Sequence, residues 1–158
     1  MDDKRQICVR GIIYKNGQLF CQELKHKDGT PKGFWCTPGG DLEPGESLIE
    51  GVRREIVEET GVEPVVGKLV FVQQYSEISQ TSDHAASEFL EFFFHIENPD
   101  DFSTVDLDNT SHGNLEVARC EFIDTHTDTI LPKFLRTLNI TSYIDGNKPV
   151  FLHDEFGQ

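Results

Sequence analysis

Gly39-Gly40-Asp41-Leu42-Glu43-Pro44-Gly45-Glu46-Ser47-Leu48-Ile49-Glu50-Gly51-Val52-Arg53-Arg54-Glu55-Ile56-Val57-Glu58-Glu59-Thr60-Gly61-Val62 decides how the rest of the chain is read. It is a tight loop feeding one helix, and both helix ends are marked. Ser47 and Glu50 have the spacing of a capping box, Gly61 supplies a left-handed stop, and no proline interrupts the interval between them. At about 100° per residue, Ile49, Val52 and Ile56 gather on one apolar stripe that should face a core. Glu55, Glu58 and Glu59 share the neighbouring stripe at i, i+3 and i+4. Glu55 repels each of the other two by roughly 0.2–0.5 kcal/mol, and Glu58 and Glu59 lie at the negative end of the helix dipole. A solvated acidic face with Arg53 and Arg54 as counterions is one reading. The stronger one is a ligand set, because convergent carboxylates are the hard oxygen donors that Mg²⁺ or Mn²⁺ requires. Local rules broken together at one place mark a functional site.

The spacing carries a resemblance. Gly40, five residues, Glu46, seven residues, then Arg54-Glu55-Ile56-Val57-Glu58-Glu59-Thr60-Gly61-Val62 resembles the Nudix box with every defining position filled, over residues 40–62. The resemblance implies an α/β protein of the Nudix fold, an α/β/α sandwich with a central mixed β-sheet, in one domain over 1–158. It also implies a metal-dependent pyrophosphohydrolase that cleaves a nucleoside diphosphate linked to another moiety by attack of water on phosphorus. In that family Glu55, Glu58 and Glu59 would hold Mg²⁺, with Mn²⁺ as a substitute, and the Gly39 carbonyl would complete the shell. Arg54 would orient a box carboxylate, with Glu46 as its salt-bridge partner. The general base is left open among Glu59, Glu116 and Glu91. One departure is Thr37 before Pro38-Gly39-Gly40, where the family usually has an aliphatic residue. A noncatalytic nucleotide-sensing module of the same fold is the alternative, which the intact carboxylate set disfavours.

The formal charge of −14 opposes binding to a nucleic-acid backbone or an anionic membrane, so the expected partner is a small nucleoside diphosphate derivative neutralised locally by metal. Residues 1–6 lack an apolar signal region, and no apolar run approaches the roughly 20 residues that span a bilayer. The four cysteines lack Cys-x-x-Cys spacing and read as reduced thiols, so the expectation is a soluble, cytoplasmic protein, with homo-oligomerisation left open. P-loop, nucleophile-elbow and His-Glu-x-x-His motifs are missing.

Residues 6–14 read as a strand, and Asn16-Gly17 as a hairpin turn into a second strand over 18–24. Residues 25–33 form a polar loop with three lysines, Lys25, Lys27 and Lys32, either solvated or placed to meet phosphate. A short apolar strand over 33–40 carries Phe34 and Trp35, which with Tyr75 are candidates to stack on a base, although aromatic packing is the commoner role. A long strand over 64–75 is expected after the helix, followed by a polar loop over 76–87 with His84 as a substrate rim. Residues 88–96 suit a central strand covered on both faces. Residues 98–114 read as a solvated acidic connection, since Arg119 stands where a calcium loop starting at Asp108 would need Glu. A strand over 115–123 and a closing helix over 129–139 complete the reading, with Ile130, Leu131, Phe134, Leu135 and Leu138 inward and Pro132 in the first turn. Val150-Phe151-Leu152 is apolar enough to pair or dock.

Overall fold

In the computed structural model, which describes residues 4–76, 86–127 and 129–154, the chain opens as β1 (Lys4–Ile12), β2 (Tyr14–Lys15) and β3 (Gln18–Lys25). Asn16 and Gly17 both take positive φ, 52° and 78°, the twist a two-residue hairpin turn needs, and so β2 folds back on β3. Next come β4 (Pro31–Cys36), β5 (Gly39–Asp41), α1 (Leu48–Thr60), β6 (Val66–Ser76) and β7 (Ala86–Ile96). Residues 77–85, including His84 of the expected rim loop, lie outside the described residues. The rest is α2 (Gly113–Glu116), β8 (Val117–Asp124), β9 (Ile130–Leu131), α3 (Ile140–Ile144) and β10 (Phe151–Asp154).

The strands form two sheets. One runs β10-β6-β7-β1-β5, and β7 lies at its centre, antiparallel to β6 and parallel to β1. The near-continuous apolar run of β7 is thus explained: Phe94 and Ile96 join one core cluster, while Phe93 joins the other. The second sheet runs β2-β3-β4-β9, with β8 paired to β3. Both sheets are mixed, because β10 runs parallel to β6 and β9 parallel to β4. Val52 and Ile56 of α1 pack on Val9, Ile13 and Phe20 on one side, and Phe134, Leu135 and Ile140 pack on Phe71 and Phe93 on the other. Helical segments therefore cover both sides of the sheets, in keeping with an α/β sandwich.

Both caps of α1 form as the sequence indicates. The Ser47 hydroxyl accepts from Glu50 N–H, the Glu50 carboxylate accepts from Ser47 N–H, and Gly61 takes φ 73°. The apolar stripe is shifted by one residue, however. Ile49 is 46% exposed while Leu48 packs against the core, so the buried line runs Leu48, Val52, Ile56 and ends at Glu59 and Thr60.

The closing helix over 129–139 does not form. Trp35 N–H donates to the Thr129 carbonyl at 2.8 Å, and Ile130 and Leu131 pair with Trp35 and Cys36 as strand β9. Sheet pairing supplied by a distant segment overrides the local helical period, and the residue before a proline already disfavours the helical region. Pro132 is extended at ψ 155°, and only a 3₁₀ turn, Lys133–Arg136, follows. The apolar positions still point inward: Ile130, Phe134 and Leu135 are buried and Leu138 is partly so. The acidic connection holds 3₁₀ turns at Pro99–Phe102 and Leu107–Asn109. Phe151 and Leu152 pair with Phe71 and Val72, so the apolar tail docks as β10.

Candidate active site

The end of β4, strand β5 and the last two turns of α1 bring the glycine loop against the carboxylates. Gly39 pairs with Arg10 of β1 and takes φ 151°, and a β-carbon there would lie 2.1 Å from the Val9 carbonyl oxygen. Only glycine fits that position without moving backbone. A β-carbon on Gly40 would lie 2.6 Å from Glu55 Oε2, so the Glu55 carboxylate rests directly over this residue. Gly39 N–H in turn donates to Glu59 Oε2 at 3.0 Å, and Gln22 Nε2 donates to the same oxygen at 2.9 Å.

Arg54 organises the outer carboxylates. Its Nε and Nη2 grip Glu46 at 2.7 and 3.1 Å, Nη2 also donates to the Asp41 carbonyl at 3.0 Å, and Nη1 meets Glu55 Oε1 at 3.0 Å and Glu58 Oε2 at 3.2 Å. The paired Glu46–Arg54 contact anticipated from the resemblance is present, in the two-toothed geometry that fixes a guanidinium plane. The hydrogen bond from Arg54 holds Glu46 below the usual carboxylate range, and the same bond to Glu46 keeps Arg54 firmly charged. Burial raises Glu55 despite its contact with Arg54. Burial pushes Glu59 much further, to about 8, against the opposing bonds from Gln22 and Gly39 and the charge of Arg10. Burial thus works against ionisation of Glu55 and Glu59.

This face forms one wall of a cleft of about 540 Å³. Lys25, Lys27 and Lys32 also line the cleft, as do His112 and Glu116. The lysine loop is a tight turn in which Asp28 accepts from Thr30 N–H and Oγ1, and His26 N–H donates to Thr30 O. Lys25 Nζ is also tied to the Asn114 carbonyl at 2.7 Å. Three lysines of a strongly acidic chain therefore line the same cleft as Glu55, Glu58 and Glu59.

The donor chemistry fits a hard divalent cation. Glu55, Glu58 and Glu59 are all oxygen donors, and Gln22 Oε1 is buried on the same wall with no hydrogen-bond partner. Among the described residues, however, no three acidic, histidine or cysteine side chains stand together in ligating geometry. Arg54 Nη1 lies between Glu55 and Glu58, and Glu59 is turned towards Gln22 and Gly39. Glu55, Glu58 and Glu59 would hold such a cation, which would supply positive charge to this face.

A second cavity, of about 790 Å³, adjoins the cleft through two shared wall residues, Arg10 and Leu24. Phe34, Tyr75, Phe134 and Phe151 line it, and Gln73 and Glu91 are its buried polar residues. Tyr75 stacks on Phe89 with ring centres 4.9 Å apart and donates to Glu91 Oε1 at 2.8 Å. Phe34 and Tyr75 thus share a cavity. Trp35 lines neither one, being buried against Ile130 with the Arg119 guanidinium 4.6 Å over its ring. The two distal glutamates separate in the same way: Glu116 lines the acidic cleft, whereas Glu91 lines the apolar cavity with both oxygens engaged, by Tyr75 and by Arg10. Three site residues escaped the sequence reading. Arg10 and Gln22 are polar residues inside apolar strands, a signal available in the sequence. His112, whose N–H donates to the Glu58 carbonyl at 2.9 Å and whose Nδ1 lies 3.3 Å from Glu58 Oε2, left none.

The NUDIX domain model matches residues 4–128, and the chain belongs to that family. Over 66 residues it is 42% identical to an ADP-ribose pyrophosphatase of Methanocaldococcus jannaschii, covering 42% of this chain and 38% of that protein. Over 58 residues it is 38% identical to the nucleoside triphosphatase NudI of Enterobacter sp. (strain 638), covering 37% of this chain and 41% of that one. The aligned stretch is thus under half the length of these curated relatives. A crystal structure of a MutT protein from Methanosarcina mazei Go1 superposes with a TM-score of 0.63 at 22% identity, covering 85% of this chain and 91% of that one, which shows the fold.

Proposed function

We propose that the protein is a Mg²⁺-dependent pyrophosphohydrolase that cleaves a nucleoside diphosphate derivative by attack of water on phosphorus. The observation that carries this reading is the cleft itself, which Glu55, Glu58 and Glu59 line together with Lys25, Lys27 and Lys32. A diphosphate needs cationic contacts on its oxygens, and the carboxylates need a cation between themselves and that substrate. Glu55, Glu58 and Glu59, with the Gly39 carbonyl, would hold the ion. When bound, it supplies an activated water and neutralises charge developing on phosphate oxygens.

The chain's own residues prepare that site. Glu46 fixes the Arg54 guanidinium, which orients Glu55 and Glu58, while Gln22 and Gly39 N–H fix Glu59. The lysines bind and align the phosphates, and the apolar cavity takes the attached nucleoside between Phe34 and Tyr75. Glu116, the distal carboxylate that lines the cleft, is assigned the proton of the attacking water, since both oxygens of Glu91 are already engaged by Arg10 and Tyr75. Names borne by the relatives, ADP-ribose pyrophosphatase and nucleoside triphosphatase, are consistent with this substrate class.

The contact of Arg54 Nη1 with both Glu55 and Glu58 favours a second reading, a nucleotide-sensing module whose carboxylates are held by an internal counterion. A phosphate-release screen with Mg²⁺ over nucleoside triphosphates, ADP-ribose, sugar nucleotides and dinucleoside polyphosphates separates the two. The hydrolase reading expects turnover of at least one member. Tight nucleotide binding without release in Mg²⁺ or Mn²⁺ would establish the sensing module instead.

A further inference from the structure

Among the described residues, Arg10 is the one charged side chain that lines both cavities. It sits near the end of β1, flanked in sequence by the buried apolar residues Cys8, Val9, Ile12 and Ile13, where an unneeded charge would be costly. Its guanidinium is pinned from two directions. Nε donates to Glu91 Oε2 at 2.7 Å, and Nη1 donates to the Thr37 carbonyl at 3.0 Å. These bonds use two of the five N–H donors an arginine offers, and the side chain, which lines both cavities, remains 22% exposed. Glu91 is itself fixed, because its other oxygen accepts from Tyr75 at 2.8 Å.

The arrangement is a preorganised fork. A guanidinium held at both Nε and Nη1 loses little freedom when its remaining donors meet an anion, and its planar geometry suits two oxygens of one phosphoryl group. A buried arginine–glutamate pair is weak as a stability device, since apolar residues of similar volume often serve as well. Its position at the junction gives it another use. On the reading that the nucleoside fills the apolar cavity and the diphosphate fills the cleft, the phosphoryl group nearest the nucleoside must pass Arg10.

We infer that Arg10 is the contact for that nucleoside-proximal phosphoryl group, held in place by Glu91 and Thr37, and that it makes the protein discriminate a nucleotide from the bare nucleoside. This inference rests on the proposed function for the placement of the two substrate halves. It excludes a purely structural role in which Arg10 only ties β1 to the backbone before Pro38.

The test is equilibrium binding of AMP against adenosine, GMP against guanosine, CMP against cytidine and UMP against uridine, in Mg²⁺. Wild type, Arg10→Gln and Arg10→Lys are compared, with thermal unfolding of each as a check on folding. None of these ligands has an anhydride bond to cleave. Charge-assisted hydrogen bonds of this kind are worth about 10- to 100-fold in affinity. Wild type should prefer at least one monophosphate over its nucleoside by about that factor. Arg10→Gln should reduce the preference to about twofold while leaving nucleoside affinity nearly unchanged, and Arg10→Lys should retain part of it. The inference is overturned if wild type shows no monophosphate preference, or if Arg10→Gln weakens nucleoside and monophosphate equally or leaves both unchanged. Turnover of the four nucleoside triphosphates is scored in parallel. Turnover by wild type alongside a preference that survives Arg10→Gln overturns the role of Arg10 alone. A preference lost in Arg10→Gln without any turnover supports that role and counts against hydrolysis.

Discussion

Replacing Glu59 with Gln should make the metal-free protein more stable at pH 8 while leaving it nearly unchanged at pH 5. Glu59 is 4% exposed, and burial pushes its carboxyl from the ordinary 4.5 to about 8 in the fold. A raised carboxylate pKa means that the folded state holds the proton more tightly than the unfolded state. The stability associated with this group is therefore complete below about pH 4.5 and is lost as pH rises towards 8. At about 1.4 kcal/mol per pH unit, the loss between pH 5 and pH 8 is on the order of 3 kcal/mol. For a chain of 158 residues that corresponds to roughly 6–12 °C in Tm. Both donors, Gln22 Nε2 and Gly39 N–H, aim at a single oxygen, which the amide oxygen of a glutamine can replace. The variant thus resembles the protonated acid and lacks its titration. The assay is urea or thermal unfolding in EDTA from pH 5 to pH 8, read as the difference between wild type and variant, which cancels the other titrating groups. Parallel stability curves would refute the reasoning. Excess Mg²⁺ at pH 8 should restore wild type and not the variant, because a cation favours the ionised carboxylate.

Gly40→Ala should leave Tm within a few degrees yet cut turnover by roughly 100-fold, because the new β-carbon displaces the mobile end of Glu55 and not backbone; circular dichroism with initial rates checks both halves. Gly39→Ala meets the Val9 carbonyl oxygen and a positive φ, so it should destabilise the fold by about 3 kcal/mol or more in denaturant titration. Neutralising Lys25, Lys27 and Lys32 together should raise KM by about tenfold or more with a smaller change in kcat, and the effect should shrink as salt increases.

The helix α1 was legible because its stop and start signals are local: Ser47, Glu50 and Gly61 act within a turn of where they sit. The carboxylate face was legible for the same reason, since its residues share one helix. The 129–139 segment was misread because its fate depends on β4, almost a hundred residues earlier, whose backbone takes Ile130 and Leu131 into a sheet. The partition into two sheets likewise rests on pairings such as Cys8 with Glu91, which no local pattern encodes. The lysines of the cleft are also a tertiary product, because Lys25, Lys27 and Lys32 gain their meaning only from sharing it with Glu58. Arg10 and Gln22 broke the apolar pattern of β1 and β3, and both proved to touch the site. Trp35, a stacking candidate for which packing is the commoner role, is core.

The claim that chemistry occurs on the carboxylate face is tested most directly by the hydrolysis rate of the best substrate in Mg²⁺, for wild type, Glu58→Gln and Glu59→Gln at equal folded concentration. The expected result is Mg²⁺-dependent release by wild type, abolished by EDTA, and a loss of at least about 100-fold in each variant. Unchanged rates in both variants would contradict the account, because the reaction would then not depend on these carboxylates.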